Sequence, residues 1–188
     1  MKNVWKCYSL IVVLAFFSLC VDAQNTFTAK DRTTISDFEK RVKEYSILRE
    51  RLEKQLPDLP KKATPEQIEA HKMALQRSVQ AARAGEKQGN LFTPKASRLI
   101  VSIIKTEFKG RDRADLRKRV FEEGPKGVTA KVNFSYPESK EMLEMPPSLL
   151  LALPQLPKQL RYRFVGTNLL LVDRENNVIV DCMPNALP

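Results

Sequence analysis

The stretch Leu160-Arg161-Tyr162-Arg163-Phe164-Val165-Gly166-Thr167-Asn168-Leu169-Leu170-Leu171-Val172-Asp173, followed by Glu175-Asn176-Asn177 and Val178-Ile179-Val180-Asp181-Cys182, decides the fold class. Leu160, Tyr162 and Phe164 alternate with Arg161 and Arg163, which is the two-residue period of a half-buried strand. Gly166-Thr167 and Glu175-Asn176-Asn177 are turn signals. Three short runs joined by such turns predict an antiparallel meander. Upstream, Val128, Ala130, Val132, Phe134 and Tyr136 alternate with Thr129, Lys131, Asn133 and Ser135, and predict one more half-buried strand. Between them, Pro146-Pro147-Ser148-Leu149-Leu150-Leu151-Ala152-Leu153-Pro154 has room for only about two helical turns.

Further upstream the period changes to that of helices. Ser36-Asp37-Phe38-Glu39 reads as a capping box. Phe38, Val42, Tyr45, Leu48, Leu52 and Leu56 then share one face, and Pro57 and Pro60 end the helix. Thr64-Pro65-Glu66-Gln67 caps a second helix whose apolar stripe is Ile68, His71, Leu75, Val79 and Ala82. Matched lengths of about 21 residues, roughly 31 Å each, and a short connection predict an antiparallel hairpin. Thr93-Pro94 starts a third helix carrying Leu99, Ile100, Ile103, Ile104 and Phe108, with Gly110 as its stop. A fourth is expected over Asp112–Glu122, ended by Gly124-Pro125. The fold class is therefore α+β: an N-terminal helical hairpin or bundle, then a small antiparallel β meander packed with it or tethered to it.

At the N-terminus, Lys2 and Lys6 precede the apolar run Leu10-Ile11-Val12-Val13-Leu14-Ala15-Phe16-Phe17, and Val21-Asp22-Ala23 follows. That order is the pattern of a secretory signal peptide. The run is about ten residues, short of the ~20 that span a bilayer. Cleavage between Ala23 and Gln24 and a secreted or periplasmic product are expected. An uncleaved anchor and acylation at Cys20 are the alternatives. The predicted divisions are a signal peptide over 1–23, a flexible leader over 24–33, a basic helical region over 34–125, and a small α+β module with the C-terminal meander over 126–188. Cleavage removes Cys7, Cys20 and Trp5, so Cys182 is the one cysteine of the mature chain and no intramolecular disulfide can form. Residues 24–125 hold 23 Lys/Arg against 15 Asp/Glu, and residues 126–188 hold 7 against 6. The positive excess thus falls on the helical half. Outside the cytoplasm this favours an anionic lipid or an acidic partner over nucleic acid; a solvated, mixed-sign surface explains it equally simply.

Motifs that carry chemistry are scarce. Metal binding is not expected from one mature His and one mature Cys far apart in sequence, and no D-x-D-x-D-G loop is present. His71 lies on an apolar stripe and reads as a packed or rim side chain. Ser102-Ile103-Ile104-Lys105 matches S-x-x-K without the S-D-N and K-T-G elements that accompany it in penicillin-recognising enzymes. Cys182 alternates in phase with Val178 and Val180 and reads as a buried thiol, with an intermolecular disulfide as the alternative. The glycines are scattered and form no phosphate-binding loop, so no cofactor is expected. Arg111, Arg113, Arg117, Lys118 and Arg119 are the densest basic cluster, with Asp112 and Asp115 among them and no aromatic residues for base stacking. They read first as a solvated helix face, with a surface for an anionic partner as the alternative. Asn133-Phe134-Ser135 matches a glycosylation sequon, relevant in a eukaryotic host.

The run from Leu160 to Asp173, closing with Asn177-Val178-Ile179-Val180-Asp181 and Asn185-Ala186-Leu187, resembles the C-terminal segment of uncharacterised exported proteins of Gram-negative bacteria. Leu91-Phe92-Thr93-Pro94 extends that resemblance to about 100 residues. The meander is also similar, over about 25 residues, to small periplasmic proteins of nickel and cobalt homeostasis, where Asn168 replaces their preferred Asp. The first resemblance implies an exported protein with no assigned activity; the second implies a hairpin module and a periplasmic address, and no metal site. The expectation is a non-enzymatic binding or interaction protein of the bacterial envelope, with an unidentified protein or an anionic envelope component as partner and no membrane-spanning segment in the mature chain. The alternatives are a membrane-surface or chaperone-like binder using the basic helical half, and a small exported enzyme using carboxylates such as Asp173 and Asp181.

Overall fold

A computed structural model describes residues 27–108, 114, 115, 118, 129–137 and 145–187. The α+β order is as expected, with helices first and a three-stranded antiparallel sheet at the C-terminus. The elements are α1 (Ala29–Glu53), α2 (Pro65–Ala82), α3 (Pro94–Glu107), α4 (Pro147–Ala152), β1 (Leu160–Val165), β2 (Asn168–Asp173) and β3 (Ile179–Met183). The expected signal peptide and most of the expected helix over 112–122 lie outside the described residues; Ala114, Asp115 and Lys118 of that stretch are helical.

Two local expectations need correction. α1 starts at Ala29 and not at Ser36, so residues 29–33 of the expected leader are helical. Thr28 caps it: its side chain accepts from the Asp31 amide while the Asp31 carboxylate accepts from the Thr28 amide. That reciprocal pair satisfies two otherwise unpartnered amides about two turns earlier than Ser36 could. The caps at Thr64 and Thr93 are where the sequence puts them. The second correction concerns residues 129–137, which make no regular strand. Asn133 adopts φ 66°, a left-handed conformation that breaks the extended run, and Phe134 is exposed. The segment still lies along β3: the amides of Asn133 and Tyr136 donate to the carbonyls of Ile179 and Asn177, and the Ile179 amide donates to Phe134.

The sheet runs in the order β1-β2-β3, and the two-residue loop at Gly166, φ 55°, sets the first hairpin with Val165 opposite Asn168. Both faces are covered. Leu160, Tyr162, Phe164, Leu169, Leu171, Val178 and Val180 join Phe38, Val42, Leu75, Val79, Ile100 and Ile104 in one core. On the other face Val165, Leu170, Val172, Ile179 and Cys182 pack under Val132 and Tyr136. The helices are therefore packed on the sheet and share its core. Phe92, in the α2–α3 connection, stacks between Phe38 and Tyr162 at centroid distances of 5.7 and 6.5 Å. In α2 the buried residues are Leu75 and Val79, with the C-cap Arg83 buried next, while Ile68 and Ala82 of the expected stripe are exposed. Gln76 donates to the Asn176 carbonyl and Gln80 to that of Asn133.

Candidate functional site

Among the described residues four charged side chains are buried, Asp173, Asp181, Arg49 and Arg83. Asp173 ends β2 and is fully buried. Its Oδ2 accepts from the Tyr45 hydroxyl at 2.8 Å and faces Arg49 Nε at 3.3 Å, both from α1. Its Oδ1 accepts from the amides of Glu175 and Asn176 and thereby shapes the β2–β3 turn. Arg49 also pairs with Glu53 at 2.6 Å and with Glu175. Burial disfavours the Arg49 charge, but Asp173, Glu175 and Glu53 outweigh it and hold the group protonated above its ordinary range. Burial, then the adjoining Asp173 carboxylate, pushes the Tyr45 phenol well above its ordinary value. Arg83 lies over the Tyr45 ring at 5.1 Å and donates to the Val180 carbonyl at 2.8 Å.

Asp181 is the second fully buried acid. The register of β2 and β3 shifts between Leu171 and Val172, so that Val180 has no cross-strand partner. Asp181 meets the α2–α3 connection there. It accepts from the amides of Gly89 (2.9 Å), Leu91 (2.8 Å), Phe92 (2.8 Å) and its own neighbour Cys182 (2.8 Å). Gly89 needs its φ of 88° to turn its N–H towards the carboxylate. A buried carboxylate with four amide donors is a structural anchor of the loop. Asp173 and Asp181, the carboxylates considered for catalysis, thus each join a loop or helix to the sheet.

The other sequence candidates are dispersed. Cys182 is buried, and burial followed by the Asp181 charge pushes its thiol up to about 11, so it is an unreactive packed thiol. His71 is half-buried at the rim of a groove with Glu50, Glu53, Lys54 and Asp58. Ser102 and Lys105 are both exposed on α3. Of the basic cluster, Arg111, Arg113, Arg117 and Arg119 lie outside the described residues, and Lys118 is exposed. Among the described residues, no three His, Cys, Asp or Glu side chains come together as a metal site, and no helix is long and apolar enough to cross a membrane.

The sequence did not point to a cleft of about 190 Å³ along β1, the edge strand, under α4. Among the described residues, Lys158, Arg161, Arg163 and Arg174 line it, and no carboxylate does. Its apolar wall includes Leu150, Leu156 and Leu160. Arg161 donates to Asn177 Oδ1 at 3.0 Å, and Arg174 donates to the Leu160 carbonyl at 3.1 Å. Arg163 donates to the Tyr162 carbonyl at 2.8 Å. Partial burial, then the nearby Arg174, depresses Arg161 below its ordinary range. The near-neutral composition of 126–188 hides this, because two of its acids, Asp173 and Asp181, are inside the protein. Compared with known protein families, curated proteins and solved structures, the chain matches none.

Proposed function

We propose that this chain is an exported, non-enzymatic binding protein of the bacterial envelope, and that it recognises an anionic partner through cations at its surface. The observation that supports this most is a surface cleft lined by cations. The buried acids Asp173 and Asp181 are engaged in holding the fold together, while Lys158, Arg161 and Arg174 line an outer cleft that has no carboxylate among the described residues. The tripartite N-terminus and the resemblance to exported proteins support the location.

Retention of the mature chain, residues 24–188, on immobilised polyglutamate tests the reading. Binding is expected at low ionic strength and should fall steeply towards physiological salt, where exposed charges are screened within about 8–10 Å. Reversal of Arg113, Arg117 and Arg119 to Glu should weaken it if the helical half contributes. Absence of salt-sensitive retention would reject an anionic partner. N-terminal sequencing of protein expressed in a bacterial host should find Gln24 first; a retained Met1 or an acylated Cys20 would contradict export by this route.

A further inference from the structure

We propose that the corner formed by α4 and β1 docks on an anionic lipid surface, with Leu150 and Leu151 entering its apolar layer while Lys158, Arg161 and Arg174 hold lipid phosphates. This rests on the binding reading above and names both the place and the partner. Leu151 is 81% exposed, the most exposed large apolar side chain among the described residues, and its neighbour Leu150 is 44% exposed. Such side chains on a two-turn helix between prolines are held out by rigid backbone, since Pro146, Pro147 and Pro154 fix the chain on either side. Leu150 also walls the cationic cleft, so grease and positive charge adjoin. Neither feature alone indicates a membrane. Together they match the two attractions that hold a protein at a bilayer surface, apolar insertion and attraction to anionic headgroups.

The dimensions agree. A cleft of about 190 Å³ is below the ~300–1,000 Å³ that enclose a whole small-molecule ligand. It suits one oxyanion of a molecule that otherwise stays outside. Arginine side chains already occupy part of this edge, with Arg174 on the Leu160 carbonyl and Arg163 on that of Tyr162. They cap carbonyls that an added strand would need, which disfavours a peptide partner pairing along β1. The Arg174 bond uses one N–H of a group with five, and a guanidinium suits phosphate.

The mature chain contains no tryptophan, because Trp5 lies in the signal sequence. Leu151→Trp therefore places a sole emitter at the proposed contact. Mixing this variant with phosphatidylcholine vesicles in which phosphatidylglycerol is about one lipid in three should shift its emission to the blue; pure phosphatidylcholine vesicles should not. Lys158→Glu, a change at an exposed position, and the double change Arg161→Gln with Arg174→Gln should each weaken vesicle binding, the double change by about tenfold or more. Leu150→Ser with Leu151→Ser should abolish co-sedimentation of the otherwise native chain. An equal shift with neutral vesicles, or full binding by the Lys158 and arginine variants, would overturn the proposal. Displacement by free glycerol phosphate would also overturn it, showing a soluble phosphate ligand. Vesicle binding lost only on reversal of Arg113, Arg117 and Arg119 would move the site to the helical half and leave the binding reading standing. No retention on polyglutamate would reject that reading itself.

Discussion

Single residues decide how the loops meet the sheet. Asp181 is the clearest case: replacing it with Ala leaves the amides of Leu91 and Phe92 buried without acceptors. At ~1–3 kcal/mol for each orphaned group, the loss should be about 3 kcal/mol or more, measured by urea unfolding. Tyr45→Phe removes one bond to Asp173 and should cost about 1–2 kcal/mol. Were Asp181 a catalytic group on a preformed scaffold, Asp181→Ala would leave stability nearly unchanged. Alkaline pH tests the buried hydroxyl and thiol groups. Cys182 is raised from 9.0 to about 11, and Tyr45 and Tyr162 are raised also. A group raised in the folded state contributes its full stability below its unfolded pKa. Stability should therefore be flat on account of these groups up to about pH 9 and fall from there. Cys182→Ala should delay the fall to the tyrosine range. Period marked Cys182 as buried in phase with Val178 and Val180; it is buried, but with Ile179 on the opposite face of the sheet, because the register shift at Val180 breaks the alternation. Period could not reveal what Asp181 does, because its donors come from the α2–α3 connection some ninety residues away and the strand register shifts beside it.

At the scale of elements, local chemistry was readable where it was unambiguous. Thr64-Pro65 and Thr93-Pro94 fix two helix starts, because proline at the first helical position leaves little choice. α1 offered two caps, Thr28 with Asp31 and Ser36 with Glu39, and the earlier one forms. Thr28→Ala should therefore cost about 1 kcal/mol, whereas Ser36→Ala, inside the helix, should be neutral or slightly stabilising by thermal melting. The reverse order would restore the later start. The run from Val128 to Tyr136 carries the alternation of a strand, yet Asn133 interrupts it with a left-handed turn. Its side chain donates to the Gln80 carbonyl at 2.7 Å and ties the segment to α2. Tertiary anchoring overrides the alternating pattern here. The three-stranded meander was legible because each turn carries its own signal: Gly166 at the first and Asn177, φ 55°, at the second.

For the whole molecule, the decisive fact is that helices and sheet share one core and that buried ion pairs and amide–carboxylate bonds cross between them. Sequence charge counts could not show this, since they do not tell which acids go inside. Asp173 and Asp181 belong to the β portion by position, but their partners Tyr45, Arg49, Leu91 and Phe92 come from the helical portion. Residues 126–188 expressed alone would expose Leu160, Tyr162, Phe164, Leu169 and Leu171 and leave both acids without these partners. The fragment should aggregate or remain unfolded, as judged by circular dichroism and sedimentation. Native-state hydrogen exchange of the mature chain tests the unity of helices and sheet most directly, because it reads the opening of each amide separately. The amides of Leu91 and Phe92, held by Asp181, should open with the same free energy as those of β2 and of the buried stretch of α1. Loop and helix amides exchanging freely while β2 remains protected would contradict the account.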